Sequence, residues 1–271
     1  MSAVEPVAFA QWQGRLSAEC MRLGQIRSAV ALAETSSTQD ARETRAARAG
    51  TLVTAWRQTA GRGRFGRNWA DTQTAGVAAS FVVEAQAGER LALIGAVAAA
   101  DASEAALGSS RESSLESGQR ATVGIKWPND TVVDGKKLAG VLIERRGDVA
   151  VIGIGINVSQ ERFEGELAQR ATSLAILGAH VDRIDVLIAL MRALDVALTA
   201  TDDDLVARFH ARDALRGTRA LFATPEGPLE GEVVSIDPMH GLMVRTDTGE
   251  RFLPAASTSV AEWGRARVQS R

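Results

Sequence analysis

The sequence predicts an α+β protein: a mixed, largely antiparallel sheet with flanking helices, followed by a small C-terminal β-barrel. Three observations lead there. Three closely connected strand patterns run through residues 122–158, joined by the turn signals Asp134-Gly135 and Arg146-Gly147-Asp148. The strands cluster with antiparallel connections rather than alternating with helices, which argues against a parallel doubly wound sheet. Past Gly217 the text changes to short strands punctuated by glycines and Asp237-Pro238, the pattern of a barrel of roughly five strands.

In chain order, residues 5–27 carry Phe9, Trp12, Leu16, Cys20 and Leu23 at helical spacing and predict one amphipathic helix. A short strand over 30–33 runs into Ser36-Ser37-Thr38, and a helix is predicted over 38–49 with Ser37 or Thr38 as N-cap. A strand over 51–56 leads to a glycine–arginine loop, and another strand follows at 78–84. Residues 90–107 are an alanine-rich helix, and 109–119 a Ser/Glu/Gly-rich surface loop. The strands 122–127, 131–144 (broken at Asp134-Gly135) and 149–158 come next, then helices at 183–200 and 202–214. Strands at 220–223, 231–236, 241–246 and 250–253 complete the chain. The expected organisation is a helical extension (1–27), a main α+β domain (28–216), a small barrel (217–263) and a polar tail (264–271).

Composition narrows the function classes. A net charge of -2 over 271 residues gives no whole-body field favouring nucleic acid or membrane. Cys20 is the only cysteine, and the three histidines lack metal-ligand spacing, so disulfides within the chain and multi-cysteine zinc sites are excluded. No signal-peptide pattern and no apolar run of transmembrane length is visible, and a cytoplasmic protein is the expectation.

Three segments carry chemistry. The run Gly61-Arg62-Gly63-Arg64-Phe65-Gly66-Arg67-Asn68-Trp69 contains G-x-G-x-x-G, with Glu84 at a strand end beyond it. A dinucleotide loop opens into a helix and uses backbone amides, whereas this one continues into polar turn residues and carries three arginines. Planar, permanently charged forks on a glycine backbone suit a cover over a phosphorylated or carboxylate ligand. A solvated arginine-rich turn, or a nucleic-acid contact, fits the same spacing.

The second segment is Lys126-Trp127-Pro128-Asn129-Asp130, with Lys137-Leu138-Ala139-Gly140 after the hairpin. Pro128 keeps Trp127 extended, and Asn129-Asp130 are turn residues with hydrogen-bonding side chains. Lys126 and Lys137 are either anion ligands or ordinary strand-end lysines. Trp127 reads as core, and Asp130 as a ligand-site residue or a turn stabiliser. Gly140 marks a close approach in a strand. The third segment, Gly153-Ile154-Gly155-Ile156-Asn157, leaves one strand face bare, for a flat ligand or for another element crossing closely.

These segments, with Ser36-Ser37-Thr38-Gln39 and Gln58-Thr59-Ala60, resemble in wording and order the catalytic domain of the biotin–protein ligases (biotin–[acetyl-CoA-carboxylase] ligases), over about residues 30–260. The resemblance implies a class II synthetase-like catalytic domain with an SH3-like C-terminal barrel. It implies an enzyme that joins biotin to ATP, with Mg2+, giving biotinyl-5′-adenylate and pyrophosphate. Biotin then passes to one lysine of a biotin carboxyl carrier domain. By resemblance, Ser37, Thr38 and Gln58 hydrogen-bond the ureido end of biotin, and Gly61, Arg62, Gly140, Leu142, Gly153 and Ile156 line its pocket. Arg62, Arg64 and Lys137 surround the carboxylate and α-phosphate as the catalytic cations, with Lys137 also touching biotin. Arg64, Arg67, Lys126, Asn129 and Asn157 face the nucleotide, and Trp69 helps the loop close. No carboxylate is identified as a magnesium ligand.

Two departures stand out. Gln39 occupies a position where the family usually has Asn, and Val77-Ala78-Ala79-Ser80 replaces larger residues in the strand after the loop. The segment before the matched region is too short for the winged-helix domain of some members, so a ligase without DNA-binding function is expected, as a monomer or homodimer. A lipoate or octanoate ligase-type acyltransferase, or an arginine–glycine nucleic-acid module, is the alternative.

Overall fold

The computed structural model of the protein describes residues 8–66, 68–69, 74–109 and 122–265, without the side chains of Phe65 and Arg265. A 3-10 turn, Phe9–Gln11, opens into helix α1, Trp12–Cys20, which buries Trp12, Leu16 and Cys20 as one stripe. This helix is shorter than the sequence predicts. Beyond it the backbone N–H groups of Gly24, Gln25 and Ile26 donate to the Asp195 carboxylate at 3.0, 2.6 and 3.0 Å, so the chain leaves the helix to wrap that side chain.

Strand β1 (Ser28–Thr35), the short helix α2 (Arg42–Ala46) and β2 (Thr51–Gln58) follow. The helix predicted over 38–49 shrinks to five residues because Thr38 and Gln39 are committed to buried side-chain contacts described below. The glycine–arginine loop forms a minimal hairpin, β3 (Gly61–Arg62) against β4 (Asn68–Trp69), with no helix between β4 and the next strand among the described residues. Then come β5 (Gly76–Glu84), α3 (Gly88–Ser109), β6 (Gly124–Lys126), β7 (Asp130–Val133), β8 (Lys136–Arg146) and β9 (Val149–Asn157). The β7–β8 turn has positive φ at Asp134 (48°) and Gly135 (77°), as a tight hairpin with the strands' own twist requires.

These strands form one seven-stranded sheet in the order β1-β2-β5-β9-β8-β7-β6. Only β1–β2 is parallel, so the sheet is mixed and largely antiparallel. The outer edge of β1 is occupied by Gln13 of α1, whose amide donates to Ala29 O at 2.8 Å and accepts from Ala31 N–H at 2.9 Å, as a neighbouring strand would.

After α4 (Leu167–Arg170), the helices α5 (Arg183–Thr199) and α6 (Asp202–His210) complete a helical layer with α3 on one sheet face. Among the described residues α3 is the one helix long and apolar enough to cross a membrane, and it is mostly buried in this layer. Strands β10 (Arg219–Thr224), β11 (Gly227–Asp237), β12 (Gly241–Thr246), β13 (Gly249–Pro254) and β14 (Ser259–Arg265) form a second, antiparallel sheet in the order β13-β12-β11-β10-β14. The five expected strands are there, paired in one antiparallel run from β13 to β14. Trp127 is fully buried, and its indole N–H donates to Pro238 O at 3.3 Å in the β11–β12 connection, tying the two sheets together.

Candidate functional site

On the face opposite the helices lies a cleft of about 640 Å³. Its floor is set by strand pairing. Gly140 of β8 pairs with Gly155 of β9, and Leu142 with Gly153, so three glycines share one bare strip. The alternate residues Val141, Ile152, Ile154 and Ile156 are buried in the hydrophobic core. The structure therefore differs from the expectation for Ile156: its side chain belongs to the core and not to the cleft, because it alternates with Gly155. Gly61 also contributes no lining. A side chain there would run into Gln58 Nε2 and the Trp69 carbonyl, so glycine lets the β3–β4 hairpin close.

At the inner end, polar side chains are buried together. Thr38 N–H donates to Gln58 Oε1 at 2.9 Å, and Ser80 Oγ lies 2.9 Å from both Thr38 Oγ1 and Gln39 Oε1. Ser37, Thr38, Gln39, Gln58 and Ser80 are all buried. Such a cluster, partly self-satisfied and opening on the cleft, suits a small polar head with both donors and acceptors. Gln39 reaches across the floor. Its Nε2 donates to Glu144 at 3.2 Å, and a Cβ on Gly153 would meet it at 2.9 Å.

The mouth is cationic. Asp130 bridges Lys137 at 2.7 Å and Lys126 at 3.2 Å, and Arg64 donates to Asn129 Oδ1 at 3.1 Å. Burial pushes the Asp130 carboxyl up, but the two ammonium groups outweigh it and hold its pKa below the ordinary carboxylate value. A backbone irregularity aims Lys137. The β7–β8 register shifts between Thr131 and Val132, so Leu138 and Ala139 are both buried while Lys137 shares the cleft face with Gly140. Their odd spacing would otherwise put them on opposite faces. Lys137 packs over Gly140, where a Cβ would meet its Cε and Nζ at 2.7 Å. Trp69 covers the outer strip: a Cβ on Gly155 would lie 2.5 Å from its indole, and Lys137 Nζ is 5.4 Å from its ring centroid.

Arg62 is placed differently from its expected position around an anion. Its guanidinium pairs with Asp40 at 2.8 Å and Glu144 at 2.7 Å, and Arg146 joins Glu144 at 3.0 Å, so it anchors the hairpin to the sheet. Asn157 lines the cleft, but its amide donates to Thr172 O at 2.9 Å and holds the following segment to the sheet. Arg67 lies outside the described residues. Sequence reasoning missed Ser80, the Asp40–Glu144–Arg146 carboxylate and arginine cluster, and Phe163, Leu167, Gln169, Arg170 and Ala171 at the rim. Of these only the buried-polar position of Ser80, two residues from Ala78 in a strand, left any trace in the pattern.

Residues 31–160 match the model of the biotin/lipoate A/B protein ligase family. A biotin–[acetyl-CoA-carboxylase] ligase of Paracoccus denitrificans is 31% identical over 217 residues, 75% of this chain and 88% of that protein. A bifunctional ligase/repressor of Bacillus spizizenii is 31% identical over 223 residues, 76% of this chain but 65% of that protein, so the match spans less than two thirds of that relative. A solved biotin protein ligase from Aquifex aeolicus, in complex with biotin and ATP, superposes with a TM-score of 0.74 at 27% identity, over 86% of this chain and 98% of that one. Taken with a glycine-floored cleft that has a polar inner end and a cationic mouth, these matches mean that the chain belongs to the biotin protein ligase family.

Proposed function

We propose that this protein activates biotin with ATP as biotinyl-5′-adenylate and transfers the biotinyl group to a lysine of a biotin carboxyl carrier domain. The observation that carries the reading is the joining of two unlike halves in one cleft. A flat glycine strip with a buried polar end adjoins a mouth where Lys126, Lys137 and Arg64 gather around Asp130 and Asn129. The likeness to a ligase solved with biotin and ATP supports it.

The chemistry follows from the charges. A carboxylate oxygen of biotin attacks the α-phosphorus of ATP, the bond to the β-phosphate oxygen breaks, and pyrophosphate leaves. Two anions must meet in that step, so fixed cations lower its barrier most. Lys137 and Arg64 take that role, with Lys126 and Asn129 towards the nucleotide phosphates. Ser37, Thr38 and Gln58 receive the polar ring end of biotin, while Gly140, Leu142 and Gly153 flank it. Trp69 closes the outer side. In the second step the carrier lysine amine attacks the acyl carbon, AMP leaves, and the amine gives up a proton.

Magnesium enters with ATP. Among the described residues no group of three His, Cys, Asp or Glu is arranged for a metal, and Asp130 is engaged by two lysines, so no carboxylate is assigned to the ion. The test is ATP–pyrophosphate exchange with biotin, with lipoate and with no acid. Exchange with biotin alone is the expected result. Exchange with lipoate alone moves the chain to the lipoate branch of the family, and none with either acid overturns the adenylation reading.

A further inference from the structure

The central sheet is forked, and the cleft lies in the fork. Strand β2 pairs with β5 only from Thr51 to Thr54, against Val82 to Ala79. Beyond that point β2 stays with β1 as far as Gln58↔Thr35, while β5 stays with β9 as far as Gly76↔Asn157. One prong carries Thr38 and Gln58, and the other Ala78, Gly153 and Gly155, all lining the cleft. The chain between the prongs, residues 57–75, bears Gly61, Arg62, Arg64 and Trp69.

Arg183 spans the fork from the helical side. It is the first residue of α5, whose N-cap is Asp182, accepting from Ile184 N–H at 3.0 Å. Its Nε donates to Gly76 O at 2.7 Å on one prong, and its Nη2 donates to Trp56 O at 2.8 Å on the other. The guanidinium carbon lies 4.8 Å from the Trp56 ring centroid and 5.1 Å from that of Trp12, which α1 supplies fully buried. Within α5 a buried cation at the helix N-terminus opposes the helix dipole. Arginine is the side chain that can present two donors in one rigid plane while stacking on indoles.

We propose that Arg183 is a positioning residue that sets the opening of the fork, and so the distance between the polar head site on one prong and the glycine strip on the other. It touches no substrate. It acts through Trp56 and Gly76, the two roots of the segment that carries the glycine–arginine hairpin. The proposal rests on the biotin ligase reading only for its kinetic readout.

The test uses Arg183→Met, which keeps an apolar stem and removes both donors, and Arg183→Lys, which keeps the charge without the planar fork. Arg192→Met is the control. It lies on the same helix and breaks a pair with Glu19 at 2.7 and 2.8 Å, far in sequence from the fork. Two quantities are read: KM for biotin against kcat in pyrophosphate exchange, and the rate of tryptic cleavage after Arg62, Arg64 or Arg67, identified by fragment mass. Arg183→Met should raise KM for biotin and the cleavage rate about tenfold each, with kcat changed much less, because misplaced walls weaken binding and a loosened root opens locally. Arg183→Lys should fall between it and wild type, and is read alone if Arg183→Met does not fold. Arg192→Met should lower thermal stability and leave both quantities at wild-type values. If KM and cleavage are unchanged at Arg183, or rise in all variants in step with lost stability, Arg183 is only packing and the proposal is overturned. Should wild type show no exchange with biotin, the functional reading fails, and the cleavage rates still decide the clamp.

Discussion

Replacing Lys137 by Ala tests the electrostatic reading most directly. The ammonium sits 2.7 Å from Asp130 at the cleft mouth, on a side chain 37% exposed. A unit charge acting on a reacting anion about 4 Å away is worth about 4 kcal/mol at an effective dielectric near 20. Partial exposure screens that, so about 3 kcal/mol is the working figure, a loss of about 10²-fold in rate and up to about 10³-fold if the site dries on binding. The cost in stability is smaller. Asp130 keeps Lys126 at 3.2 Å and is not left as an unpaired buried charge, so Lys137→Ala should cost about 1 kcal/mol, or about 3 °C in Tm. The assay is biotin-dependent pyrophosphate exchange alongside a thermal melt of the same preparation. A folded Lys137→Ala protein exchanging within about fivefold of wild type would correspond to about 1 kcal/mol and would refute the assignment of Lys137 as the main electrostatic catalyst.

Three further outcomes follow from the same geometry. Arg64→Gly removes the donor to Asn129 Oδ1 and should release free adenylate when no carrier is present, seen as biotinyl-AMP in the filtrate; full retention would mean that Arg64 does not enclose the intermediate. Gly155→Ala places a Cβ within 2.5 Å of the Trp69 indole, so Trp69 must leave the strip, and KM for biotin should rise about tenfold; an unchanged KM would detach the glycine strip from ring binding. Asp130 has a depressed pKa, so its contribution to stability is complete above the unfolded value near ~3.9 and is lost as pH falls through the lower folded value. The Tm advantage of wild type over Asp130→Asn should therefore be flat at neutral pH and shrink on strong acidification; an advantage that grew with acid would contradict the Lys126–Asp130–Lys137 bridge.

What the sequence made legible was local. Asp134-Gly135 fixed a hairpin because only a few residues accept positive φ there. The alternation of Gly153 and Gly155 announced a bare face because strands have a period of two. The arginine loop could be separated from a dinucleotide loop because no helix pattern follows Gly66. What stayed hidden depends on partners far along the chain. The short α2 follows from Thr38 N–H bonding Gln58, and the cleft-facing Lys137 from a register shift against β7. Arg62 is drawn from its expected place by Asp40 and Glu144, the latter 82 positions away in sequence. Gln39 could be recognised as a departure, but its reach across Gly153 to Glu144 could not, since that depends on how β9 and β8 lie beneath it.

Both halves of the cleft are covered by the protein's own groups. Gln39 lies over Gly153, and Trp69 over Gly140 and Gly155, so the protein's own side chains cover the strip that a flat ligand would use. Glycine in those positions permits this close cover by Gln39 and Trp69, which a larger side chain would exclude. The mouth works the same way. One carboxylate, Asp130, holds two lysines side by side against their mutual repulsion and leaves net positive charge on the trio. In both places the groups are satisfied, so neither bare apolar floor nor an unpaired charge is left exposed. Such cover needs walls of fixed spacing. The strand pairing of β5, β9 and β8 supplies this on one side, and on the other, where β2 has parted from β5, the two bonds of Arg183 stand in for the missing ladder.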